Sequence, residues 1–154
     1  MYAASPDQWH QAAQSWNFDN ATHWLKWIVE QPQCDLGTAL NIFWRTEPTW
    51  NLSHLNPFRK QMHGVSIDAE ALPIQIIILG RWVRNEFTRA EIAFEGRQIH
   101  SSNKPHLVPI VPFEVLEEMA LPRKGRIVER GDFDEGIPFE VVAAYRKARE
   151  IDPE

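Results

Sequence analysis

Three times between Ser5 and Trp44 the chain sets large apolar residues three and four positions apart, then stops at a turn or a proline. That spacing lines one face of an α-helix, so the opening third is constrained to helices packed side by side. Ser5-Pro6 starts the first, with an N-cap hydroxyl followed by proline at the first helical position, where its missing N–H costs nothing. Trp9, Ala12, Ala13 and Trp16 form its face. Asp19 or Asn20 is expected to cap the second, with Ala21, Trp24, Leu25 and Ile28 as the stripe, Trp27 on its flank and Pro32 as the stop. Asp35 is expected to cap the third, whose face is Leu36, Ala39, Leu40 and Phe43, flanked by Ile42 and Trp44. Gly37 and Thr38 lower its propensity but leave a small surface that a neighbouring helix can approach closely.

Residues 46–66 are punctuated by Glu47-Pro48, Asn56-Pro57 and His63-Gly64 and read as a surface loop containing Trp50, with a short helix at Phe58–His63. The run from Pro73 to Gly80 is compatible with a buried strand. Its pattern continues past Gly80, which favours a helix to about Phe87, with Ile76, Leu79, Val83 and Phe87 on one face and Arg81, Arg84, Asn85 and Glu86 outward. Ser66 or Asp68 could begin it. Thr88–Phe94 either extends the helix or forms a short strand. Residues 95–111 read as loop. Pro112–Ala120 reads as a short helix with Phe113, Leu116 and Met119 or Ala120 inward. Pro122–Gly136 reads as loop, with Arg126–Glu129 a candidate edge strand. A last helix from Pro138 to Glu150 would turn Phe139, Val142 and Ala143 or Tyr145 to the core and carry Arg146, Lys147 and Arg149 in its final turns. The expected fold is mostly α: one compact multi-helix domain over residues 1–154, with a helical body at 1–95 and a short irregular C-terminal part at 96–154 packed on it, leaving room for one small β element.

Composition narrows the function classes. The net charge is −5, with five acids and four bases in residues 1–60 and the remaining acidic excess beyond them. No Lys/Arg cluster suggests nucleic-acid binding. A mildly acidic surface suits a basic protein partner and also plain solubility. Cys34 is the single cysteine, which excludes an internal disulfide and fits a reducing compartment. The N-terminus lacks the basic and apolar regions of a secretory signal, and no apolar run approaches the about 20 residues of a membrane span. A cytoplasmic location is the expectation, with no membrane partner.

The block Cys34-Asp35-Leu36-Gly37-Thr38-Ala39-Leu40 is the most distinctive segment. With Trp16-Asn17-Phe18-Asp19, Trp27-Ile28, Gln31-Pro32, Ile42-Phe43-Trp44 and the later Ala90–Phe94, it resembles an uncharacterised bacterial family, domain of unknown function 4274, over roughly Gln8 to Glu95. The resemblance implies a small soluble bacterial domain and brings no activity, cofactor or catalytic residue with it. Small families of this kind are often associated with toxin–immunity neighbourhoods.

Few residues are left for chemistry. Glycine-rich phosphate loops, the Gly-x-Ser-x-Gly elbow and the zinc-binding His-Glu-x-x-His pattern do not occur. None of His10, His23, His54, His63, His100 and His106 has another three or four positions away. Cys34 is the one catalytic candidate: it precedes a helix start, where the dipole would lower its pKa, and His10, His23 or His54 could be its base. Asp35 beside it acts in the opposite sense. Asn17 and Asp19 could polarise a ligand but also explain a turn. Trp50, His54 and Arg59, together with the acidic run at Glu129, Asp132, Asp134 and Glu135, form the expected binding surface. The resulting expectation is a non-enzymatic protein-binding module, immunity-type or accessory, without cofactor or metal; the alternative is a small enzyme with a Cys/His site at Cys34.

Overall fold

The computed structural model describes residues 4–56, 68–143 and 147. In chain order they form α1 (Pro6–Ser15), α2 (His23–Glu30), α3 (Leu36–Arg45), α4 (Pro48–Ser53), α5 (Ala71–Val83), a 3-10 turn at Ser101–Asn103, α6 (Lys104–Leu107), α7 (Phe113–Ala120) and a two-stranded hairpin of β1 (Phe133–Asp134) and β2 (Ile137–Pro138). Residues 139–143 are helical again. The fold is a compact, mostly α domain. The expected helices at Phe58–His63 and beyond Ala143, including Tyr145, Arg146 and Arg149, fall outside the described residues, as does Arg59.

The first helix begins as expected. Ser5 Oγ accepts the Gln8 N–H and Gln8 Oε1 accepts the Ser5 N–H at 2.8 Å, a reciprocal capping box. Ala13 and Trp16 are buried. So is His10, whose Nδ1 meets Thr38 Oγ1 at 2.9 Å and ties α1 to α3.

The N-terminus of α3 holds the domain together. Asp35 is buried and accepts three backbone N–H groups: Gly37 at 2.8 Å, Glu91 at 2.7 Å and Ile92 at 3.2 Å. The Leu36 N–H completes the junction by donating to Arg89 O at 2.9 Å. Residues 89–94 therefore run extended across the start of α3 rather than prolonging α5. A Cβ on Gly37 would strike the Ile92 carbonyl, so glycine is required by this close approach. The neighbour admitted by the small surface at Gly37 is an extended strand, where a helix was expected. On its other side the strand makes isolated bridges from Ile92 to Arg126 and from Phe94 to Arg123. Only Arg126 of the expected edge strand Arg126–Glu129 takes part. Trp44 Nε1 donates to Met119 O at 3.0 Å and joins α7 to the same core, with Phe113, Leu116 and Met119 inward as expected.

Two helices turn a different face inward from the one expected. On α2 the buried residues are Leu25, Ile28 and Val29, while Trp24 and Trp27 are 56% and 43% exposed and Ala21 is exposed. Both ends of α2 are tied to α5, which sets the rotation. Thr22, the N-cap in place of Asp19 or Asn20, gives its N–H and hydroxyl to Glu70 Oε2, and Arg81 Nη1 donates to Val29 O at 2.6 Å and Gln31 O at 3.0 Å. On α5 the inward residues are Ala71, Ile74, Gln75, Ile78 and Arg81, whereas Ile76 and Val83 point out. That helix is apolar almost all round, so its aliphatics do not choose a face. Its two polar side chains do, because their acceptors lie inside: Gln75 Nε2 donates to Thr46 O at 2.7 Å, and Arg81 reaches the end of α2.

Arg81 has a counterpart in Arg45. Neither α1 nor α2 carries a basic residue in its last turn. Arg45 donates to Ala13 O at 2.6 Å, Gln14 O at 2.8 Å and Trp16 O at 3.2 Å, with its guanidinium 4.7 Å from the Phe18 ring centre. Arg81 lies 4.3 Å from that of Phe87. Each arginine satisfies the carbonyls that a helix end leaves open, and each rests on an aromatic ring.

Other expectations are corrected. Residues 48–53 are helical rather than loop: Glu47 takes a left-handed φ of 54° and Pro48 starts the turn. The 3-10 turn and α6 lie within the expected loop at 95–111, where Leu107 is buried. The hairpin replaces the end of the loop expected at 122–136, with Gly136 at φ 88° against Trp16, where a Cβ would collide with the indole. Phe139 is exposed, not inward.

Replacing Asp35 with Ala leaves three amide groups without their acceptor and is expected to cost about 3 kcal/mol in urea unfolding. Gly37→Ala should also destabilise, through the collision with Ile92. Burial lowers the His10 pKa below its ordinary value of 6.5, against the opposing pull of Asp35 and Asp7. The neutral ring is thus favoured in the folded protein. Stability should be fully present above about pH 6.5 and fall as the pH drops through the depressed folded value. A His10→Gln variant should flatten that part of a stability–pH curve.

Candidate functional site

Cys34 lies inside the core. It is completely buried, its Sγ lies 3.6 Å from Asp35 O, and burial with the adjacent Asp35 pushes the thiol up to about 12, although Arg81 pulls the other way. A thiol of that pKa holds its proton at neutral pH and offers no nucleophile. The histidines considered as its base are engaged elsewhere: His10 with Thr38, His23 in a tilted ring contact with Trp24, and His54 with Trp50. No group of three or more His, Cys, Asp or Glu among the described residues could hold a metal ion.

The structure pairs only part of the expected binding surface. Trp50 is 45% exposed on α4, its ring centre 4.3 Å from that of His54. His54 is itself buried, and its Nδ1–H donates to Trp50 O at 2.6 Å, so it supports the Trp50 ring and its turn instead of facing solvent. The acidic turn is anchored on a different loop. Glu135, at φ 48°, accepts Asn17 Nδ2 at 3.3 Å and Asn20 Nδ2 at 3.0 Å. Asp132 is exposed and its carbonyl accepts the Phe139 N–H at 2.9 Å. Asp134 lies in β1, with its backbone in register with Ile137. Asn17 Oδ1 also accepts the Asp19 N–H at 3.1 Å, so Asn17 shapes the turn as well as holding Glu135.

A row of adjoining aromatic rings lies on a face that periodicity assigned to the core. The Trp9 and Trp27 rings meet edge to face at 5.5 Å, Trp27 and Trp24 at 6.4 Å, and His23 continues the row against Trp24 at 5.4 Å. Trp9 is half-buried at the base of this row and the two α2 indoles stand out from it. Lys26 and Glu30 pair at 3.6 Å on the same helix. In the sequence, the aliphatic triplet Leu25, Ile28 and Val29 at i, i+3 and i+4 marks the buried side of α2 and leaves Trp24 and Trp27 outside it. A small hollow of about 230 Å³ is lined by Leu36, Trp82, Asn85, Phe87 and Arg123, whose guanidinium lies 4.8 Å from the Trp82 ring centre.

Fold and surface together define a small α-helical domain with a buried cysteine and a face of adjoining indoles. Residues 4–72 match the family model described as domain of unknown function (DUF4274), the family that the Cys34–Leu40 block resembles. Neither the curated proteins nor the solved structures contain a match. No helix among the described residues is long and apolar enough to cross a membrane.

Native protein at pH 8 should leave Cys34 unmodified by iodoacetamide over the time in which the denatured chain reacts completely. Fast native alkylation would show that the thiol is open to solvent. A raised folded pKa favours the protonated form, so the linked stability holds below the ordinary value of 9.0 and declines as pH climbs toward about 12.

Proposed function

We propose that this chain is a non-enzymatic protein-binding module of the bacterial cytoplasm, an immunity-type or accessory partner, and that the indole row on α2 is its contact surface. The observation that carries this reading is the exposure of Trp24 and Trp27 side by side, with Trp9 behind them. Exposed aromatic clusters of this kind mark interaction surfaces, and tryptophan is enriched among the few residues that dominate binding energy. The partner is a protein with a basic contact surface: it complements the net charge of −5, and its arginines or lysines can stack on the indole faces. Trp50, propped by His54, is a second exposed anchor on α4.

The reading is tested by placing a photocrosslinking residue at position 24, 27 or 50 in cells, identifying any adduct, and titrating the purified partner. One basic protein should be captured from positions 24 and 27. Trp24→Ala and Trp27→Ala should each weaken its binding at least about tenfold, since truncating an aromatic anchor at a hot spot costs about 2 kcal/mol or more. Adding salt should slow association. A partner unaffected by both substitutions would show that the indole row is not the contact surface; loss only in Trp50→Ala would move the surface to α4.

A further inference from the structure

We propose that the hollow at the end of α5 binds a small carboxylic acid with a compact apolar group, and that Arg123 takes the carboxylate. The hollow lies where the start of α3, the end of α5 and the segment after α7 meet, and Leu36, Trp82, Asn85, Phe87 and Arg123 line it. Sites for drug-sized ligands span about 300–1,000 Å³. At about 230 Å³ this one suits a smaller molecule. An aliphatic side chain and two aromatic rings supply its apolar wall, and Arg123 and Asn85 supply polar groups, the mixture that small-molecule sites use.

The state of Arg123 selects an anion. Arg45 and Arg81 donate to helix carbonyls, and Arg84, Arg89 and Arg126 pair with Glu86, Glu91 and Asp7. Arg123 has no such acceptor. Among the described residues its side chain makes no hydrogen bond or ion pair, and its Nε is closed off from solvent as well. The Trp82 ring centre lies 4.8 Å from its Cζ and covers one face of the guanidinium. A cation that loses water at Nε and on one face without gaining an acceptor is poorly compensated. An anion at its remaining N–H groups therefore gains more than at a fully solvated arginine. Glu86 and Glu91, the nearest acids in sequence to Asn85 and Phe87, are already held by Arg84 and Arg89.

The walls select the rest of the ligand. Phe87 is braced by Arg81, whose guanidinium lies 4.3 Å from the ring centre, and Trp82 by Arg123. Both rings are therefore held before a ligand enters, which lowers the ordering cost of binding. The Asn85 backbone closes α5 at φ 54°, with the Glu86 N–H donating to Arg81 O at 2.8 Å. Its side-chain amide has no partner among the described residues and serves as a second donor to the carboxylate. One uncommitted guanidinium matches a monoanion, and apolar walls match a hydrocarbon group.

NMR titration of isotope-labelled protein is the test, read at the Trp82 indole N–H and the Arg123 Nε–H. Phenylacetate should shift both saturably, with a Kd of about 1 mM or tighter for so few atoms. Phenylacetamide, equal in shape and uncharged, should bind at least about tenfold more weakly. Arg123→Gln should weaken phenylacetate by at least about tenfold, and Asn85→Gly, which keeps the left-handed turn, by about threefold. A melting curve checks that each variant is folded. If Arg123→Gln does not fold, the comparison of acid and amide on the wild-type chain decides. Acetyl-phenylalanine separates two sources of the carboxylate: tighter binding than phenylacetate assigns the site to a peptide's carboxyl terminus, weaker binding to a free small acid. No saturable shift with any of these acids up to about 20 mM, equal binding of acid and amide, or undiminished affinity in folded Arg123→Gln overturns the proposal. Trp24→Ala and Trp27→Ala should leave phenylacetate binding unchanged, which separates this site from the indole row.

Discussion

The rest of the domain depends on one buried carboxylate. Asp35 caps α3 and at the same time accepts two N–H groups from a strand more than fifty residues later. A capping aspartate ordinarily serves its own helix. Here its second oxygen is committed to Glu91, so the start of α3 and the path of residues 89–94 are determined together. Gly37 makes that crossing sterically possible, and Leu36 adds a further backbone bond to Arg89. The strand then carries Ile92 and Phe94 into buried positions and bridges to Arg123 and Arg126. The family match ends at residue 72, yet the partners that complete the α3 terminus lie beyond it. The segment after α5 is therefore part of what holds the Cys34–Leu40 block in place.

The same logic governs the helix ends and, through them, the surface. A buried helix terminus needs donors for its last carbonyls, and α1 and α2 do not supply them. Arg45 and Arg81 do, from neighbouring helices. Because Arg81 and Glu70 are both on or next to α5 and hold opposite ends of α2, they fix how α2 is turned. That rotation leaves its indoles outside. The exposed aromatic face is a consequence of satisfying polar groups beneath it.

Local chemistry made much of this legible in the sequence. Ser5-Pro6-x-Gln8, Asp35 before an apolar periodic run, and the inward side of α7 each follow from neighbours a few positions away. The rotations of α2 and α5 were not legible, because their determinants are pairings across the fold: Thr22 with Glu70, Gln75 with Thr46, Arg81 with Val29. Apolar periodicity is least informative on a helix such as α5, where most faces are aliphatic. For the candidate site, the exposure of Trp50 was correctly read, but His54 was taken for a surface group when it is the support beneath that ring. Glu135, expected on the binding surface through its acidic run, is held by Asn17 and Asn20. The tie between Asp35 and residues 91–92 lies beyond the reach of any local motif.

Amide hydrogen exchange at Gly37, Glu91 and Ile92 measures the Asp35 junction most directly. If the carboxylate couples α3 to the strand, all three amides should exchange only through global unfolding, with the same free energy as one another and as the whole domain. Exchange of Glu91 and Ile92 through a low-energy local opening, while Gly37 stays protected, would show that Asp35 caps its helix without fastening the strand.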